Sequence, residues 1–392
     1  MHYYNRYLHD ILIQRLKTNP AVALLGPRQC GKSTLAHRIQ HLFPKSVYLD
    51  LELPSDLRKI TEPELFFSQY EDTLICLDEI QLKPDLFRTL RVIIDRNERN
   101  SQFLILGSAS RDLIRQSSET LAGRISYCEL TPFLLNESNS IPDSTFNDYW
   151  LRGGYPRALL ASDNQVSVVW KNDFLRTFIE RDVLQIKPGL SSQSVNRLLQ
   201  MTAHIQGNTI NYTSIGNSLS LSDNTVKHYL DLLEGAFIVR ILEPLHTNLK
   251  KRLIKSPKVY IRDSGLLHTL LGIESFDTLL GHPIFGSSWE SVVIENILAY
   301  MKPSVSSSFY RTAKGEEMDL ILEQGQKRIA IECKATVTPT ITRSMTISKK
   351  DLKPDHVFIV APTNDSYPLS KEVTVISLRD IISHPLLTDF IW

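Results

Sequence analysis

The chain has 392 residues, more than one hydrophobic core ordinarily organises, so two or three domains are expected. With 42% hydrophobic and 22% charged residues it has the composition of a soluble globular protein. Lys+Arg 44 against Asp+Glu 43 leaves a net charge of +1, which excludes a bulk attraction to polyanions and confines any nucleic-acid surface to a local patch.

Residues 1–6, Met-His-Tyr-Tyr-Asn-Arg, lack the basic-then-apolar run of a secretory signal. No apolar run approaches the roughly 20 residues needed to cross a bilayer, so a cytoplasmic protein with no membrane partner is expected. The four cysteines, Cys30, Cys76, Cys128 and Cys333, are widely spaced, which indicates neither a disulfide framework nor a zinc site.

Residues 21–25, Ala-Val-Ala-Leu-Leu, form a short continuous apolar run of the kind that makes a buried parallel strand, and a helical pattern opens near Leu35. Between them stands Gly26-Pro27-Arg28-Gln29-Cys30-Gly31-Lys32-Ser33, followed by Thr34, a complete phosphate-loop signature. Glycines let backbone N–H groups turn toward phosphate oxygens, Lys32 reaches the β- and γ-phosphates, and the Ser33 hydroxyl can coordinate Mg²⁺. ATP and Mg²⁺ are the cofactors this implies. Thr73-Leu74-Ile75-Cys76-Leu77-Asp78-Glu79 then reads as a strand ending in two carboxylates. Behind a phosphate loop, Asp78 is expected to hold Mg²⁺ through its water shell and Glu79 to polarise the attacking water; a solvated acidic turn is the alternative.

Residues 103–107 are another apolar strand, and Ser108 after it is a candidate γ-phosphate sensor or the N-cap of the next helix. Leu121-Ala122-Gly123-Arg124 places a guanidinium where it can reach a neighbouring subunit's nucleotide, although an ordinary surface arginine fits the position equally well.

Together with Arg152-Gly153-Gly154-Tyr155-Pro156, these segments resemble the AAA-type ATPases of bacteria and archaea. More narrowly, the whole chain resembles the group in which such an ATPase is joined to a C-terminal domain of unknown function with a restriction-endonuclease-like core. The resemblance implies a ring of six or so subunits and a nucleotide base lying near Gly154, Tyr155 and Pro156. An arginine inside the phosphate loop, here Arg28, is a habit of the group, while LAGR could serve subunit packing instead of catalysis.

From Asp173 the apolar residues recur at three- and four-residue steps, which predicts an amphipathic helix leaving the ATPase core. Residues 196–233 read as three short helices. Strand-like segments at 236–242 and 258–261 flank a loop that carries Lys250, Lys251, Arg252 and Lys255. This is the layout of a winged-helix module, with Asn224, Thr225, Lys227 and His228 facing a DNA groove and the basic loop neutralising phosphate. A packing domain with a solvated loop is the bland alternative.

Past the turn residues Gly281-His282-Pro283, a helix over 289–300 carries Glu290 and Glu295, and two strands, 318–322 and 328–334, follow. Alternation puts Glu332 and Lys334 on one strand face, where Asp319 of the adjacent strand can meet them. Two carboxylates and the Cys333 carbonyl would offer hard oxygens to Mg²⁺, and Lys334 could orient or deprotonate a water for attack on a phosphodiester. The set resembles the PD-(D/E)xK nuclease fold, in which Glu290, or alternatively Glu295, would supply the further acid; Met318 stands where that family's name has proline.

The expected fold class is therefore α/β: a P-loop AAA-type ATPase domain (1–157), a helical lid with a winged-helix middle domain (158–278), and a restriction-endonuclease-like C-terminal domain (279–392). The leading functional expectation is a ring-forming, homo-oligomeric ATPase that acts on DNA, branched DNA included, in repair, recombination or defence against mobile DNA. An ATP-dependent switch or scaffold with an inactive nuclease-like domain is the alternative. A small-molecule P-loop kinase is disfavoured, because Asp78-Glu79 and the long C-terminal extension have no role in it.

Overall fold

The computed structural model describes residues 3–107, 117, 119–142, 144–183, 190–245 and 252–392. They form two compact units, Met1–Phe133 with Gly235–Phe237, and Leu134–Glu234 with Ile238–Trp392.

In the first unit, helix α1 (Leu8–Thr18) leads into strand β1 (Ala21–Leu25), and α2 (Lys32–Gln40) follows the intervening loop. Then come β2 (Ser46–Asp50), β3 (Leu74–Asp78), α3 (Leu86–Asn97), β4 (Phe103–Gly107) and β5 (Ile125–Glu129). The strands make one sheet in the order β2-β3-β4-β1-β5, with every pairing parallel. Strand side chains alternate between faces, so the uninterrupted apolar runs feed two cores. Ala21, Ala23 and Leu25 join Ile75, Leu77, Phe103 and Ile105 under α3, which contributes Leu86, Phe87, Leu90, Ile93 and Ile94. Val22, Leu24, Cys76, Leu104 and Leu106 face the other way, onto Leu12 and Leu16 of α1 and Leu35 and Ile39 of α2. Because all five strands run the same way, their C-terminal ends share one edge, and residues 26–33 and Asp78 stand on it.

In the second unit, α4 (Asn164–Thr177) runs into a π-helical turn (Phe178–Asp182), and later come α5 (Ser192–His204), α6 (Tyr212–Leu219) and α7 (Asp223–Gly235). The antiparallel hairpin β6 (Val239–Leu242) and β7 (Lys258–Ile261) comes next, then α8 (Ser264–Leu270) and α9 (Phe285–Tyr300). Val226, Tyr229, Leu230 and Leu233 bury one face of α7. A mixed six-stranded sheet, order β12-β13-β11-β10-β9-β8, is built from β8 (Ser306–Arg311), β9 (Glu317–Gln324), β10 (Lys327–Cys333), β11 (His356–Ala361), β12 (Tyr367–Ser370) and β13 (Val373–Ser377), with α10 (Arg343–Leu352) between β10 and β11. Strands β8, β9 and β10 form an antiparallel meander, whereas β10, β11 and β13 are mutually parallel.

The described residues on either side of the basic loop pair with the edge strand of this sheet: Leu245 N–H donates to Phe309 O at 2.7 Å and Ile254 N–H to Arg311 O at 3.0 Å. Both ends of the loop are thus pinned to β8. Helix α9 is buried almost all round, with Trp289, Val293, Ile294 and Ile297 at 0% exposure, which marks it as a core helix. Among the described residues no helix is long and apolar enough to cross a membrane.

Candidate functional site

The turn from β1 into α2 depends on backbone shapes that few residues accept. A Cβ on Gly26 would stand 2.1 Å from the Leu130 carbonyl oxygen, and Gly31 has φ +103°. The loop is also held from outside. Arg6, buried just ahead of α1, donates to the Cys30 carbonyl at 2.9 Å and the Thr131 carbonyl at 2.6 Å, with its guanidinium 4.8 Å from the Phe133 ring centroid. Cys30 is itself fully buried, so it packs beneath the loop, and burial pushes its thiol pKa up. Lys32 is folded over the loop, donating to the carbonyls of Gly26 at 3.0 Å and Pro27 at 2.9 Å. An ammonium resting on carbonyls that phosphate does not need is free to exchange them for phosphate oxygens.

The Ser33 hydroxyl donates to Asp78 Oδ2 at 2.7 Å, so the two hard-oxygen groups expected to share a divalent ion already touch. A second hydroxyl, that of Tyr48 on β2, donates to the same oxygen. The Tyr48 ring stacks on His37 of α2, with centroids 4.1 Å apart. Asp78 Oδ1 accepts the backbone N–H of Glu79 at 2.9 Å. Glu79 has φ +56°, a conformation that costs a non-glycine residue free energy and recurs at functional turns. Its carboxylate accepts from the Gln81 side-chain amide. Burial raises the Glu79 pKa from its ordinary value, partly offset by Gln81 and Lys32.

Arg124 lies at the opposite sheet edge. Its carbonyl accepts from Ala21 N–H at 3.2 Å at the start of β1, and its guanidinium donates to Asp95 of α3, Nη2 to Oδ2 at 2.9 Å. Five strand residues, roughly 16 Å at about 3.3 Å per residue, separate it from the loop of its own chain. Ser108 lies outside the described residues, as do Lys250 and Lys251. Gly154, Tyr155 and Pro156 belong to the second unit: Gly154 N–H donates to Asp263 at 2.8 Å, Tyr155 is 1% exposed with its ring 4.8 Å from that of Phe174, and Pro156 opens a short helix.

On α7, Asn224, Lys227 and His228 are exposed and Thr225 is half-buried, its N–H donating to the Ser222 hydroxyl at 3.1 Å. Arg252 and Lys255 are exposed.

In the C-terminal sheet, Asp319 of β9 and Glu332 of β10 stand side by side, and Cys333 N–H donates to Asp319 Oδ2 at 2.8 Å. Lys334 Nζ meets Glu332 Oε1 at 2.6 Å. Glu290 joins this group from α9, whereas Glu295, five residues on, is paired instead with Arg240 and with Arg262, the latter at 2.8 Å. That separates the two helix acids left open by the sequence. Burial, followed by the neighbouring Asp319, pushes the carboxyls of Glu290 and Glu332 up. The centre of the group is taken by Lys258, 1% exposed, which lies 2.8 Å from Glu290 and 2.6 Å from Glu317. Among the described residues no group of three or more His, Cys, Asp and Glu side chains is arranged to hold a metal ion.

Residues 18–139 match the family described as AAA domain, 143–277 a domain of unknown function (DUF8612), and 285–381 a second domain of unknown function (DUF4143). The uncharacterized protein Rv2008c of Mycobacterium tuberculosis is 38% identical over 372 residues, 95% of this chain and 83% of that one. The chain belongs to that family of AAA-domain P-loop ATPases. A more distant relative, the uncharacterized protein MJ1637 of Methanocaldococcus jannaschii, is 22% identical over 83% of this chain and 79% of its own. Among solved structures, the Walker-type ATPase PABY2304 of Pyrococcus abyssi shares 16% identity over 69% of this chain and 96% of that one, with a TM-score of 0.49. AMPPCP-bound DnaA from Aquifex aeolicus, at 13% identity over 58% of this chain and 86% of that one, gives 0.29.

Arg6, Tyr48, Gln81, Lys258, Tyr260 and Glu317 are site residues that the sequence did not single out. Glu317 was within reach, since alternation puts it on the same strand face as Asp319. Nothing local marks Arg6 or Tyr48.

Proposed function

We propose that this AAA-domain ATPase is associated with DNA and spends ATP on moving nucleic acid held by its later domains. The ATPase half is carried by one observation, the meeting of Lys32, Ser33, Asp78 and Glu79 at the C-terminal edge of a parallel sheet. In this reading Lys32 leaves the Gly26 and Pro27 carbonyls for the β- and γ-phosphates, while Ser33 and Asp78 would hold Mg²⁺. Mg²⁺ would neutralise the charge shared by the β- and γ-phosphates. Glu79, fixed by Gln81, accepts a proton as water oxygen attacks the γ-phosphorus and the bond to the β-phosphate oxygen breaks, leaving ADP and phosphate. The burial that raises its pKa strengthens it as a base.

The DNA half is supported by α5, α6 and α7 followed by the β6–β7 hairpin, a winged-helix order with Asn224, Lys227 and His228 exposed on α7 and Arg252 and Lys255 exposed beside the hairpin. The six-stranded sheet with Asp319, Glu332 and Lys334 is read as nuclease-like on the same footing. A second reading, a nuclease-like domain that binds without cutting, is favoured by Lys258 standing among its carboxylates.

ATP turnover by the full chain, measured with and without duplex, single-stranded and branched DNA, tests both halves. DNA should raise the rate at least about threefold, and Lys32→Ala should lower it at least about 100-fold. Turnover that survives Lys32→Ala removes the site assignment, and a wild type that neither binds nor responds to any DNA removes the DNA half.

A further inference from the structure

A divalent ion in the C-terminal carboxylate group would need free hard oxygens, and most of those in the group are already engaged. Glu290 Oε1 is 2.8 Å from Lys258 Nζ and also accepts the Tyr260 hydroxyl at 2.5 Å. Glu317 Oε1 is 2.6 Å from the same ammonium, and Asp319 Oδ1 is 3.6 Å from it. Asp319 Oδ2 accepts Cys333 N–H, and Glu332 Oε1 is paired with Lys334. Glu317 Oε2 lies 3.5 Å from Arg311 Nε, and Glu332 Oε2 is buried without a hydrogen-bond partner. The oxygens do not suit a resident divalent ion, because a buried ammonium already stands 2.6–3.6 Å from three of the carboxylates and would repel a second cation there.

Lys258 is not there by accident of a flexible surface chain. It opens β7, paired with Leu242 of β6, and its register places it and Tyr260 on one face of the hairpin, both reaching Glu290. The side chain is 1% exposed and its ammonium sits 5.4 Å from the Phe309 ring centroid. A lysine has three donors on one tetrahedral centre, and here three carboxylates from two elements, α9 and β9, converge on it. Burying that charge without them would be prohibitive, so the lysine and the acids stabilise one another as a unit.

We infer that the Lys258 ammonium is the resident cation of this site, supplied by the hairpin in place of a metal ion, and that it is what keeps the carboxylate group from binding divalent cations. The inference rests on the nuclease-like reading of the sheet and deepens its second form. Lys258 thereby joins the hairpin to the sheet electrostatically, and the acids that would hold a metal serve as the socket for a lysine. It follows that removing one positive charge should create a metal site where the wild type has none.

Mn²⁺ alone is the probe, added to the nucleotide-free full chain and followed by calorimetry and by the Mn²⁺ electron spin resonance signal. Wild type, Asp319→Asn, Lys258→Met, Lys258→Gln and the double variants of each Lys258 change with Asp319→Asn are compared, with folding checked by thermal melts. Wild type should show no Asp319-dependent binding at about 1 mM Mn²⁺, while a folded Lys258 variant should gain one site at least roughly tenfold tighter, abolished by Asp319→Asn. Lys258→Gln retains an amide donor for Glu290 and serves if the methionine variant does not fold. Asp319-dependent Mn²⁺ binding by the wild type overturns the lysine's role and leaves the nuclease-like reading standing, and this arm needs no variant of Lys258. A folded Lys258 variant that still binds no Mn²⁺ overturns the inference together with the nuclease-like reading.

Discussion

Asp78 shows how much of an active site is decided by one atom. Its Oδ2 accepts from Ser33, which the phosphate-loop motif supplies, and from Tyr48, which no motif supplies. If Ser33 turns to Mg²⁺, Tyr48 remains the side-chain donor to Oδ2, beside the Glu79 N–H on Oδ1. A hydrogen bond to a charged group contributes about 1.5–3 kcal/mol, and part of that is recovered by water once the bond is removed. Tyr48→Phe is therefore expected to raise the Mg²⁺ concentration for half-maximal ATP turnover about three- to tenfold, with nucleotide affinity in the absence of metal unchanged. A Mg²⁺ titration of the steady-state rate checks it; an unchanged half-maximum would reduce Tyr48 to a packing residue. The burial that raises the tyrosine's own pKa, reinforced by Asp78, ensures that its proton is present to donate.

At the scale of elements, the second unit is tied together by a polar chain in its interior. Trp150 Nε1–H donates to Ser288 Oγ at 2.9 Å, and Ser288 Oγ lies 2.8 Å from His268 Nε2. His268 Nδ1 lies 3.0 Å from the Leu151 carbonyl, which can only accept, so Nδ1 carries the proton and Nε2 takes the serine's. A neutral imidazole satisfies every partner, and burial pushes its pKa down to about 3. The unfolded chain takes up this proton near pH 6.5 and the folded one does not, so stability is lost as pH falls below about 6.5. One proton corresponds to about 1.4 kcal/mol per pH unit, so going from pH 7 to 5 should cost about 2 kcal/mol from this residue. Urea unfolding of the second unit at the two pH values should show that loss in the wild type and a shallower one in His268→Gln. Equal slopes would mean that the histidine is protonated in the fold. Glu295, between Arg240 and Arg262, makes a comparable tie from α9 to the hairpin, which explains why it is unavailable to Asp319 and Glu332.

At the scale of the molecule, the position of Arg124 bears on the proposed assembly. It is on the sheet edge opposite its own phosphate loop, paired with Asp95 at a site a third to a half exposed, where an ion pair contributes little to stability. Its loss should therefore be read in activity and not in folding. If the guanidinium completes a neighbour's site in a homo-oligomer, Arg124→Ala and Lys32→Ala are each inactive. Mixed in equal amounts, they should recover about a quarter of wild-type turnover, since half of all sites keep Lys32 and half of those face an intact arginine. No recovery in mixed assemblies would assign Arg124 to packing.

The parallel ATPase sheet was legible because its signals are local. Apolar strands at 21–25, 74–78 and 103–107, each ending in small or charged residues, state both the fold and the edge at which chemistry happens. The contacts of Ser33 with Asp78 and of Lys334 with Glu332 follow from motif and strand alternation. By contrast, Arg6 grips the loop from 24 residues upstream of Cys30, and Tyr48 reaches Asp78 only because β2 is neighbour to β3. Lys258 stands among Glu290, Glu317 and Asp319 because a hairpin packs against a sheet that comes after it in the chain. Sequence determined which residues are chemically able to bind phosphate, and spacing along one strand or loop preserved that information. Which charge sits inside which cluster of carboxylates was decided only by tertiary packing, since electrostatic pairing depends on distance in space and carries no mark along the chain.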